Sequence, residues 1–229
     1  MKKKNIVFIG FVFVVVIGFF ILGMLSFEQD GYAHLPKPEL AGGERGQLGI
    51  DNNINETAID NYLGRKDSVY RDMRMLEDPG NYAAIGGDSN LSGFVEGFEV
   101  ISLPYIIPVS GLPEVVGNTY TGNTLFSIDE NGNYVPNYEE SLDFLEYYFP
   151  KDKYIFLMCG GGGYAGMMKN VLVSLGWDPD KIYNVGGYWY YDGKHNVEVK
   201  REKDGETIYD FWKVTYHEIN FSSLHEVSL

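Results

Sequence analysis

Apolar and polar positions alternate in three different ways along this chain. Asn5–Phe27 is a run of 23 residues without a charge, preceded by Lys2, Lys3 and Lys4. As a helix it would extend about 34 Å, enough to cross a hydrocarbon core roughly 30 Å thick. The apolar region of a cleavable secretory signal is shorter, about 7–15 residues, and no small-residue cleavage pattern follows in Leu25–Gln29. The pattern predicts an uncleaved transmembrane signal-anchor over 5–27. The lysines of residues 1–4 would stay in the cytoplasm, and the remainder would be extracytoplasmic at the cell membrane. From 28 to 58 the chain is rich in Gly, Pro, Asn and charge with no sustained period. That composition predicts a flexible tether.

Residues 59–229 show short apolar runs separated by turn signals and helical periods. Ser68–Met73 and Phe94–Leu103 read as strands, the second ending before Pro104. Residues 104–137 read as an insertion with three prolines and a hairpin, TLFSIDENGNYVP, whose Asn131-Gly132 predicts a type I′ turn. Tyr138–Phe149 places apolar residues at 138, 142, 145 and 149, a helix with acids in its first turn. Tyr154–Met158 is wholly apolar, a strand buried on both faces. Met168, Val171, Leu172 and Leu175 then fall at helical spacing, with Gly176 at the stop. Ile182–Val185 is a fourth short strand. Strands joined by helices or long connections imply a parallel sheet. Over 195–217, VEV and TIYDFWKVTY flank Asp204-Gly205, predicting an appended C-terminal β-hairpin in which the tyrosines and Trp212 serve packing.

The net charge of −14 disfavours nucleic acid as a partner. Cys159 is the only cysteine, so no disulfide framework exists within the chain, and the four histidines show no metal-ligand spacing. No metal and no cofactor is indicated. What stands out is the position of Cys159, at the end of a buried strand, followed by Gly160, Gly161, Gly162 and Gly163 and a helix. Consecutive glycines let backbone N–H groups converge on an anion, and the helix dipole adds to them. That setting predicts a thiolate-bearing site with a lowered pKa. A second pattern overlaps it. Gly161, Gly163 and Gly166 satisfy G-x-G-x-x-G, the dinucleotide fingerprint, but the acidic residue expected about 20 residues on is replaced by Val185-Gly186.

Taken in order, these pieces resemble a rhodanese-like domain over about residues 60–192. Asp72-Met73-Arg74 resembles the family's D-x-R, and Tyr82 stands where its following tyrosine does. Gly93–Ile101 is similar to its G-H-I-x-G-A-x-N-I run, with Phe94 in place of the histidine, and Leu103-Pro104 closes it. Phe156–Cys159 matches the strand ending in the active cysteine, Gly160–Ala165 the active-site loop, and Gly186-Gly187 with Trp189 the closing motif. The resemblance implies an α/β fold, a parallel sheet flanked by helices, and a sulfurtransferase. Cys159 would carry sulfane sulfur as a persulfide, moving it from a small sulfur donor to a thiol or similar acceptor. Gly160, Gly161, Gly162, Gly163, Tyr164 and Ala165 would bind substrate, and Asp72 and Arg74 would be structural. The loop reads C-G-G-G-G-Y-A, where thiosulfate-using relatives usually carry arginine, lysine or a hydroxyl, and no side-chain cation is supplied within it. Related phosphatases carry arginine six residues after cysteine, where Ala165 stands. A catalytically silent rhodanese-like module that binds a protein partner is the alternative reading.

Overall fold

A computed structural model describes residues 34–228, so the expected signal-anchor over 5–27 and the start of the expected tether lie outside the described residues. In chain order the strands are β1 (Ser68–Asp72), β2 (Gly93–Val95), β3 (Glu99–Val100), β4 (Phe126–Ile128), β5 (Tyr134–Pro136), β6 (Tyr154–Cys159), β7 (Ile182–Gly187), β8 (Asn196–Glu198), β9 (Lys200–Lys203) and β10 (Glu206–Tyr209). The helices are α1 (Gly43–Gln47), α2 (Ser141–Tyr148) and α3 (Gly163–Ser174). Four strands form a parallel sheet in the order β3-β1-β6-β7. The fold is therefore α/β, as the alternation of short strands and helices implies.

Alternation along β6 divides the core. Ile155, Leu157 and Cys159 point to a layer containing α2, α3 and the 103–126 segment, with Leu145, Phe149, Met168, Val171 and Leu172 packed beneath them. Phe156 and Met158 point the other way, to Leu35, Ile54, Ile59, Phe98 and Val185. On that face Phe156 is sandwiched between Tyr70 of β1 and Tyr183 of β7, its register partners. The ring centroids are 5.1 and 5.0 Å apart and nearly parallel. Both faces are covered, which is why β6 reads as a continuous apolar run.

Several expectations change on folding. The segment expected to be a flexible tether is folded from Leu35 onward, and Leu35–Leu229 is one compact unit. Leu35, Ile50 and Ile54 are buried. The Asp51 carboxylate accepts from the N–H groups of Glu39, Asn53 and Ile54, while its own N–H donates to Asn184 O of β7. Side chains at long intervals supply this order, so no periodicity announces it. In α2 the buried residues are Ser141 and Leu145, with Tyr138 before the helix and Phe149 after it buried as well; Leu142 is 43% exposed. The second expected strand is split into β2 and β3 by a turn at Gly97. The β4–β5 loop is not type I′, because only Gly132 has positive φ. Asp129 Oδ1 accepts instead from the N–H groups of Asn131 and Asn133 and shapes a wider loop.

At the C-terminus, β9 and β10 form the expected hairpin, with Asp204 and Gly205 both at positive φ. β8 pairs with β2 instead of joining that hairpin. Trp212 is 80% exposed, so it does not serve packing as expected. Among the described residues no helix is long and apolar enough to cross a membrane.

Candidate functional site

Cys159 ends β6 on the helix-bearing face, opposite Gly187 of β7. The chain must then turn from strand to helix within three glycines, since α3 begins at Gly163. Gly162 makes that turn at φ +98°, and its N–H donates to Cys159 Sγ at 3.0 Å. Gly160 is flat for a different reason. The Trp189 ring lies on it, so close that a Cβ would sit 2.3 Å from ring carbon. The Trp189 N–H donates to Gly160 O, fixing the contact. Asn184, fully buried on β7, donates from Nδ2 to both Gly162 O and Leu48 O and accepts from Gly186 N–H. One amide side chain thus ties the cysteine loop to the 35–56 segment.

Beside the sulfur lies a cavity of about 290 Å³ lined by Cys159, Gly161, Gly163, Tyr164, Tyr82 and Trp189, together with Leu48, Ile85, Leu112, Pro113 and Tyr190. Cys159 is 3% exposed, so only a small part of it contributes to the wall. Tyr82, Tyr164 and Trp189 also line a second cavity of about 20 Å³, together with Arg74, Met75, Asp78, Asp88, Ser89, Asn90 and Leu91. The three aromatic residues are common to the linings of the two spaces. Tyr82 and Tyr164 hydroxyls are 2.5 Å apart, and Tyr164 donates to Asp78 Oδ2 at 3.0 Å. Burial raises both phenol pKa values far above the ordinary range, so both hydroxyls keep their protons.

Burial also dominates at the cysteine. It raises the thiol pKa, against the lowering by the N–H groups of Ala165, Gly162 and Tyr164. The expectation of a lowered pKa is therefore corrected. The N–H groups favour a thiolate, but removal from water, with the Asp72 carboxylate adding to it, costs a thiolate more than they return. Comparison with family models, with curated proteins and with solved structures found no match to this chain.

The expected site residues divide by position. Gly161, Gly163 and Tyr164 line the cavity with Cys159, whereas Gly160 packs on Trp189, Gly162 lies against Ile50 and Ala165 is buried, none of the three in the lining. Asp72 and Arg74 form a buried ion pair, with Arg74 Nη2 also donating to Gly93 O and the guanidinium 4.5 Å over the Tyr188 ring. Burial opposes the Arg74 charge, yet Asp72 outweighs it and the pKa is raised. The pair joins the end of β1 to β2. Gly166, third glycine of the dinucleotide pattern, has the Leu48 carbonyl against it, where a Cβ would be 2.1 Å away. Sequence reading did not place Leu48, Ile85, Leu112, Pro113 or Tyr190 at the site. Leu48 stood within the expected tether and Leu112-Pro113 within the insertion, and no spacing linked either to Cys159. Among the described residues no His, Cys, Asp and Glu cluster could hold a metal ion.

Proposed function

We propose that this protein is a rhodanese-like sulfurtransferase, anchored through residues 5–27 with its folded domain extracytoplasmic. The observation that carries the reading is that Cys159 is among the residues lining a ligand-sized cavity, with the Gly162 N–H 3.0 Å from its Sγ at the start of α3. The parallel sheet with the cysteine ending an inner strand supports it too. The thiolate attacks the outer sulfur of a donor R–S–SH. The Sγ–S bond forms as the donor S–S bond breaks, leaving Cys159–S–SH and R–S⁻. An acceptor thiolate then attacks that outer sulfur and releases Cys159 as thiolate, so neither step needs an oxidant. Loop N–H groups stabilise the anionic sulfur in each.

Mass spectrometry of intact protein after exposure to a persulfide donor tests the proposal. Wild type should gain about 32 Da, one sulfur atom, and return to its starting mass on adding a thiol; Cys159→Ser should do neither. The burial of Cys159 and its raised pKa favour a second reading, a silent rhodanese-like binding module. A wild-type mass that never changes with any sulfur donor selects it.

A further inference from the structure

The cavity beside Cys159 has no charged residue in its lining. Leu48, Ile85, Leu112 and Pro113 close it with Tyr82 and Trp189. The buried cation that acts electrostatically on Cys159 is Arg74, and it is directed elsewhere. Its Nη2 is held by Asp72 and by Gly93 O, and the residue lines the small second cavity and not the one that Cys159 lines. Arg74 Nη1 and Trp189 Nε1 are buried donors without a partner, and both residues line that second space. Its volume of about 20 Å³ is enough for a single water-sized acceptor. A thiosulfate in the large cavity would therefore leave water for a wall with no counter-charge, inside a chain of net charge −14. An uncharged carbon group would instead gain from every methylene it buries there.

We infer that the Cys159 cavity takes an uncharged apolar carbon group, so that the sulfur donor is an organic persulfide with an alkyl or aryl substituent seated against Ile85, Leu112, Tyr82 and Trp189. The inference rests on the sulfurtransfer reading for the donor's reactive end, and on the cavity alone for its carbon end. Transfer balances as above, with R now apolar: the thiolate takes the outer sulfur and R–S⁻ leaves.

Two measurements keep these parts separate. The first is binding of straight-chain alkanethiols, ethane- to hexanethiol, and of thiosulfate to the wild-type protein under argon, by calorimetry. Affinity should rise about fourfold per methylene until the cavity is filled, the factor equivalent to about 0.8 kcal/mol, and thiosulfate should not bind. Ile85→Lys, at the 40% exposed rim, should weaken hexanethiol about tenfold. A flat series, or thiosulfate bound as well as hexanethiol, overturns the inference. The second is the rate of the 32 Da gain from benzyl persulfide and from thiosulfate. Faster loading from benzyl persulfide supports the inference, whereas equal or faster loading from thiosulfate overturns it and leaves sulfur transfer standing. Loading from neither, with the alkanethiol series intact, supports the apolar cavity and overturns sulfur transfer.

Discussion

At Cys159 two influences oppose one another. The N–H groups at the start of α3 favour a thiolate, while burial disfavours it and prevails. Alkylation by iodoacetamide, a neutral reagent, should therefore keep accelerating as pH rises past about 8.5, the ordinary cysteine value. A rate that levels off below pH 8 would contradict this. The four glycines, identical in sequence, are not equivalent in place. Gly162→Ala forces a side chain into φ +98° and against Ile50, and should cost about 1–3 kcal/mol. Gly163→Ala meets only Leu48 Cδ2 at 3.9 Å and should leave stability unchanged. Urea denaturation of both variants decides it. Chemistry of this kind was legible at the residue scale, since a lone cysteine before a glycine run identifies a strand-to-helix turn. The direction of its pKa was not, because burial depends on residues far along the chain.

Among elements, β6 and β7 carry the site. Apolar β6 and the helical spacing of α3 stood in the sequence because each has a regular period that burial selects. The role of Asn184 did not. A single asparagine inside an apolar strand has no periodic meaning, yet its side chain holds Leu48 O, Gly162 O and Gly186 N–H together. Asn184→Leu should leave buried polar groups unpaired at a cost of about 1–3 kcal/mol each. It should also speed hydrogen exchange at Gly166, whose N–H donates to Gly162 O. Unchanged stability and exchange would remove that role. The hairpins show the same limit. Asp204-Gly205 adopts the backbone its residues favour, whereas Asn131-Gly132 is overridden by the Asp129 carboxylate bonding to two nearby N–H groups.

For the whole molecule, the 35–58 segment matters most. It brings Leu35 and Ile54 to one face of the sheet, Ile50 against Gly162 and Leu48 to the cavity. A chain starting at His34 should melt cooperatively. One starting at Ile59 forfeits these buried side chains, each contributing about 1.5–3 kcal/mol, and should melt at least 10 °C lower or not fold. Equal melting curves would show the segment to be dispensable. Calorimetry or circular dichroism reads the difference.

By itself the amino-acid order determined the α/β class, the apolar β6, the α3 period and the cysteine-glycine turn. Each is a local pattern in which neighbouring residues carry the information, through side-chain period or backbone freedom. Tertiary structure alone decided that Leu48 and Leu112-Pro113 meet at Cys159 and that Arg74 turns from it toward Asp72. It also decided that burial outweighs the amides at the sulfur. Those outcomes depend on contacts between residues tens of positions apart, where no spacing rule links partners and only packing brings them together.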